Sequence, residues 1–211
     1  YSTFDPLALD IADEDYQTLV RRADPEGLDV STLLVTQDVD VPVVVAAVHR
    51  DDEWPQFAAG SGADLDVTAA AQSALAEALQ NWMELRGMGP EEAVNAMGAI
   101  GRYAEFPPAV REYVETDGTI PAASVGPDDL PTGGAELEAV LDRLADADLD
   151  AYGVRTTTRD VEALGFEAVR ALVPQAQPLF FGERYFGERA KTVPDEMGFE
   201  PRLDRDHHPF P

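Results

Sequence analysis

The sequence predicts an α/β domain of mixed α+β type, in which helices pack on a mixed β-sheet. Three observations lead there. Two apolar, β-branched runs follow one another over residues 30–36 and 41–48, a long amphipathic helix is written over 67–87, and a helix-strand-turn-strand passage occurs twice. A chain of 211 residues with 45% hydrophobic content has one sizeable core, so residues 1–211 are read as a single domain.

Taken in order, residues 14–23 carry Tyr16, Leu19 and Val20 at helical spacing, and Pro25 with Gly27 end that helix. The runs 30–36 and 41–48 flank a short acidic turn, Gln37 to Asp40. Their near-continuous apolar character predicts central strands covered on both faces. Residues 56–59 suit a short third strand. In the helix over 67–87, Asp64 or Asp66 is placed to cap the start, and Gly87 and Gly89 the end. Ala71, Leu75, Ala78, Leu79 and Trp82 fall on one face, with Ser73, Glu77, Gln80 and Glu84 on the other. Helices are expected around 91–100 and 108–115, and an exposed loop over 126–134.

A helix over 135–147 then presents Leu137, Val140, Leu141 and Leu144 on one side, followed by strand-like 152–157 and 167–173. This second passage echoes the first: Thr36 and Asp38 align with Thr158 and Asp160 at a shared offset of 122 residues. Two such units are expected to pair their strands around a shared core. Residues 174–211, rich in Pro, Gly and aromatic residues, read as an irregular, docked tail. Tyr1 is not an initiator residue, and the chain reads as a fragment or processed product.

Charge narrows the function classes. Forty-one Asp+Glu against 15 Lys+Arg give a formal charge of -26, and Lys191 is the only lysine. Exposed carboxylates repel over about 10 Å at 0.1 M salt and over about 3 Å at 1 M. Spread along periodic segments, they mark an acidic, halophilic protein of a salt-filled cytoplasm. The same charge excludes direct nucleic-acid binding, for want of a cationic stripe to displace counterions, and disfavours anionic membranes. No apolar run has the length of a membrane span. The absence of cysteine excludes disulfides, thiolate catalysis and Cys-ligated zinc. The only histidines are His49, His207 and His208, too few for a histidine-rich metal site.

Three features could carry chemistry. Gly60-Ser61-Gly62-Ala63 reads as a glycine-rich turn before the strong helix, either a simple tight turn or a cradle for phosphate, to which Asp64 and Asp66 would be hostile unless a divalent cation intervened. Glu77 and Gln80, three residues apart, are surface neighbours and form either a solvated acidic face or a contact for Mg²⁺-water or a nucleotide. The terminal His207-His208-Pro209-Phe210-Pro211 could lie extended in a groove and deliver its carboxylate to a fixed place, or fray.

The ordered set of passages resembles the C-terminal half of the YcaO family: Thr36-Gln37-Asp38 with Val41-Pro42-Val43-Val44, then Gly60 to Asp66, then Ala70 to Gln80 ending Glu77-Ala78-Leu79-Gln80, then Val169 to Pro174, Gln177-Pro178-Leu179 and a proline-rich end. The resemblance implies an ATP- and Mg²⁺-using enzyme that activates a backbone amide of a peptide or protein substrate by phosphorylating its oxygen, a cyclodehydratase or thioamide-forming activity. It implies Glu77, Gln80 and Arg86 as cofactor contacts, Glu77 as a metal ligand and Pro211 as a catalytic carboxylate. Two departures matter. The family helix continues Ser-Arg after its glutamine, where this chain has Asn81-Trp82, and Arg86 is the substitute one turn on. The acidic motifs of the family's N-terminal half have no match here. The chain is therefore expected to be inactive alone and to need that half or a partner protein, with a homo-oligomer as a further possibility. The alternative is a non-catalytic scaffold or peptide-recognition module that keeps the fold, with Trp82 as its hint.

Overall fold

The computed structural model describes residues 7–35, 38–96, 100–116, 118–127, 129–177, 185–201 and 203. Five strands form the main sheet: β1 (Leu7–Asp10), β2 (Asp29–Leu34), β3 (Val43–His49), β4 (Phe57–Ala63) and β5 (Thr119–Pro121). Their order is β4-β3-β2-β1-β5, antiparallel throughout except for the parallel pair β1–β5, so the sheet is mixed.

Strand alternation divides the core in two. Val44, Ala46 and Val48 of β3, with Ala58 of β4, face α1 (Glu14–Ala23) and α2 (Val67–Met88), where they meet Tyr16, Ala71, Leu75 and Trp82. Val45 and Ala47 face the other way, onto Phe57, Phe106 and the Val110 and Val114 side of α4 (Pro108–Val114). The expectation of strands covered on both faces holds for β3. α1 is capped by Asp13, whose Oδ1 accepts from the Tyr16 N–H at 2.8 Å. That bond is the first cause holding the Asp13 carboxyl below its ordinary pKa.

α2 begins at the Asp66 cap, which accepts from the Thr68 N–H at 2.9 Å, and ends at Gly89, whose N–H reaches Leu85 O. Its apolar face is the expected one, with Ala71, Leu75, Ala78 and Trp82 buried. Two readings are corrected. Gly60-Ser61-Gly62-Ala63 is not a turn but the second half of β4, and of the helix expected around 91–100 the described residues show only the short α3 (Pro90–Ala93) with turns after it, 97–99 lying outside the described residues. The glycines serve contact between backbones: a Cβ on Gly60 would stand 2.4 Å from Ala74 O, and one on Gly62 2.2 Å from Ala70 O. Only a residue without a side chain lets α2 lie this close to β4.

The second passage forms α5 (Gly134–Asp146), β6 (Tyr152–Arg155), α6 (Arg159–Ala163) and β7 (Val169–Leu172). Helix and antiparallel strand pair recur as in α1-β2-β3, but the expected turn at Thr158-Arg159-Asp160 is the start of α6. The expectation that the two units share strands is also corrected, because β6–β7 is a separate two-stranded sheet. Polar contacts tie it to the first unit: Arg189 Nη2 donates to Asp38 Oδ2 at 2.9 Å and its Nη1 to Ala147 O at 2.7 Å, and Arg143 lies 3.4 Å from Asp40. Arg189 opens α7 (Arg189–Glu196), a helix where the tail was expected to be irregular, with Ala190, Val193 and Pro194 buried. Thr36 and Gln37, and the terminal segment from 204 to 211, lie outside the described residues. No helix among the described residues is long and apolar enough to cross a membrane.

Candidate functional site

The candidate site is the outer side of α2 where it runs along β4, the edge strand of the sheet. An edge strand leaves alternate backbone groups without a ladder partner, and α2 fills two of them. Glu77 Oε2 accepts from the Ser61 N–H at 2.6 Å, and Asn81 Nδ2 donates to Ala59 O at 2.9 Å. Residues four apart on a helix lie one above the other, so Glu77 and Asn81 close neighbouring groups of one strand. The bond to Ser61 holds one oxygen of the Glu77 carboxylate in place, and the side chain remains exposed. Gln80 is exposed one turn along from Glu77.

Arg86 does not join them. Nine residues separate it from Glu77, about 13 Å along a helix axis and half a revolution around it. Its Nη1 is paired with Glu26 Oε2 at 2.8 Å, and its guanidinium lies 5.2 Å from the centre of the Trp82 ring. Trp82 is 2% exposed and donates Nε1–H to Pro55 O at 3.1 Å, with Arg50 on the ring at 5.2 Å as well. It is a core residue with its one donor satisfied, which removes the feature that pointed to peptide recognition. Asp64 and Asp66 are likewise occupied: Asp64 Oδ1 accepts from the Asp66 N–H at 2.9 Å, and Asp66 caps α2. The helix N-terminus thus has its anion already. Pro211 lies outside the described residues.

Sequence reasoning passed over a second polar group, on the opposite layer. Ser31 Oγ and His49 Nε2 lie 2.9 Å apart across β2–β3, beside Phe106 at 4.9 Å ring to ring. Burial pushes the His49 imidazole below its ordinary pKa, against the pull of Asp29. Tyr16, whose hydroxyl meets Thr32 Oγ1 in the core, is raised by burial.

The chain matches the family described as YcaO cyclodehydratase, ATP- and Mg²⁺-binding, over residues 1–177. It belongs to the YcaO family. Among solved structures it is similar to a heterocyclase in complex with substrate and cofactor, at 21% identity and a TM-score of 0.73 over 93% of this chain and 27% of that one. YcaO from Methanopyrus kandleri bound with AMPPCP and Mg²⁺ is similar at 24% identity and a TM-score of 0.61, over 82% of this chain and 46% of that one. The heterocyclase TruD gives 22% identity and a TM-score of 0.63, with 93% and 27% covered. These likenesses bear out the mixed α/β fold. The chain spans between about a quarter and a half of the length of these YcaO-like relatives. No curated protein matches.

The described residues do not by themselves make a complete Mg²⁺-nucleotide site. No group of three or more His, Asp or Glu side chains able to hold a metal occurs among the described residues, whereas Mg²⁺ sites combine carboxylates with phosphate oxygens and water. Glu77 offers one carboxylate, Gln80 one amide, and Arg86 is engaged elsewhere.

Proposed function

We propose that the chain is the C-terminal module of a YcaO-type ATP-dependent enzyme that activates backbone amides of a peptide or protein substrate. In such an enzyme a side chain or an external sulfur would attack the amide carbonyl, and bound ATP with Mg²⁺ would supply the γ-phosphoryl group, so that ADP is released and the amide oxygen departs as phosphate, giving an azoline or thioamide. The observation that carries the reading is the YcaO match over 1–177. The exposed Glu77–Gln80 face of α2, with its carboxylate fixed on Ser61, supports it as the place where this module would meet nucleotide.

In this reading the chain supplies part of a constellation. Phosphoryl transfer depends on metal ions and cationic donors placed together, so partial sets lose most of the rate. Glu77 and Gln80 would present a contact for a metal-bound water or a ribose, Pro211, which lies outside the described residues, would contribute a carboxylate, and the remaining carboxylates and cations would come from an N-terminal half or a partner protein. Arg86 enters only if it leaves Glu26. With two or three contacts missing, each worth about 3 kcal/mol, turnover falls by roughly four to six orders of magnitude.

The test is phosphate release by residues 1–211 in high salt with Mg²⁺ and ATP, measured beside the longest natural polypeptide that contains them. The expected result is turnover by the longer protein and none above background by the chain alone. Comparable turnover from the two would refute the division of the site, and none from either would favour a scaffold.

A further inference from the structure

Among the described residues, the unit formed by α5, β6, α6 and β7 has no core of its own. Every residue of β6 and of β7 is exposed, and neither α5 nor α6 has a buried residue. The large apolar side chains stand in solvent: Leu137 is 62% exposed, Leu164 74%, Phe166 66% and Val169 68%. An isolated two-stranded hairpin is marginal in water, and a sheet needs a third strand or a helix on its apolar face. Scattered exposed leucines are ordinary, but a whole helix-and-hairpin unit with uncovered faces marks a surface made to be covered.

We propose that this unit is the seat of the complementary half of a YcaO-type fold, which adds strand to the β6–β7 sheet and covers the hairpin face on which Tyr152, Val154 and Leu172 stand together. The proposal rests on the reading of the chain as one module of such an enzyme. Two observations choose the occupant. The solved YcaO-like chains are longer than the part they share with this one, which covers 27% and 46% of them. The first helix-and-hairpin unit, α1-β2-β3, shows how the repeated plan is completed: β1 and β4 flank it edge to edge, and α2 and α4 cover its two faces. The second unit has the same helix and antiparallel pair, with neither flanking strands nor cover among the described residues.

The test is site-specific photo-cross-linking in the longest natural polypeptide containing this chain, produced in its own cells, with Tyr152→benzoylphenylalanine and, separately, Val154→benzoylphenylalanine, two positions on that face. Tyr152 is 54% and Val154 45% exposed, so neither change disturbs a packed core. Mapping by mass spectrometry is expected to place both cross-links on one YcaO-matching segment outside residues 1–211. Amide exchange in β6 and β7 should be about 100-fold slower there than in residues 1–211 alone, since covered strands exchange only through larger openings. Cross-links to a second copy of 134–172, cross-links to a polypeptide without a YcaO match, no protein cross-link, or exchange equally slow in the isolated chain would each overturn the proposal. ATP turnover is scored separately in the same preparations. Docking without turnover would sink the enzymatic reading and leave the surface assigned, whereas turnover without these cross-links would do the reverse.

Discussion

Replacing Gly62 by alanine should unseat α2 from β4. The new Cβ would lie 2.2 Å from Ala70 O and 3.1 Å from Ser73 Cβ. The first obstacle is backbone and cannot rotate away. Restoring an ordinary separation of about 3.5 Å requires the helix to withdraw by about 1 Å, and a gap of that size forfeits a quarter to a half of the dispersion attraction of the atoms lining it. The loss is spread over the interface of α2 with β4 and β3, where Ala70, Ala71, Ala74 and Ala78 pack on the sheet. Overpacking of this kind costs about 3 kcal/mol, the upper part of the usual range, because both sides are rigid. For a domain of this size, that lowers the melting temperature by about 6 to 12 °C. Gly87→Ala is the control: nothing lies within 4 Å of its Cβ, and the position is helical and exposed. There alanine should stabilise by about 0.5 to 1 kcal/mol. Thermal melts by circular dichroism in molar KCl measure both. A Gly62→Ala variant melting within a degree of the parent, or a Gly87→Ala variant falling as far, would refute the close-approach argument.

Three further outcomes are expected. The net charge of -26 predicts cooperative unfolding or expansion as KCl falls from about 3 M to about 0.1 M, and a melting temperature unchanged across that range would contradict it. His49, depressed by burial from the ordinary 6.5, binds its proton more readily unfolded than folded, so its contribution is intact above pH 6.5 and stability falls as pH drops below it; denaturant melts should show His49→Gln flattening that slope. Trp82→Ala removes a core indole and orphans Pro55 O, at a cost of about 3 to 5 kcal/mol by urea denaturation, while a loss under about 1 kcal/mol would mean that the ring is not core.

The elements legible in the sequence are those whose signals are local. α2 announced itself through the Asp66 cap, the Gly89 stop and one apolar face, and β2 and β3 through runs of β-branched residues. β1 and β5 did not, because strands of four and three residues carry almost no period, and their pairing, Ala8 with Thr119, joins distant parts of the chain. Gly60 and Gly62 misled because the residue that permits a turn also permits two backbones to touch, and only the position of α2 decides which. Glu77 and Gln80 were correctly placed on the polar face. The hydrogen bond to Ser61 and the help from Asn81 depend on β4 being the edge of the sheet, which no local pattern records. Trp82, met as a missing arginine, is better explained by the core it fills.

Arg189 has a consequence for the order in which the molecule is made. It is the far partner of Asp38, 151 residues away, and it also grips the end of α5 through Ala147. Among the described residues, the two apolar clusters of the five-stranded sheet draw only on positions between Ala8 and Val125. They can therefore close while the rest is still being translated, since chains acquire structure from the N-terminus during synthesis. The latch arrives last. Until α7 has emerged, the hairpin unit hangs from a finished sheet by Arg143 alone among these contacts, and a chain ending after β7 would keep its core but lose the clasp that orients its second unit.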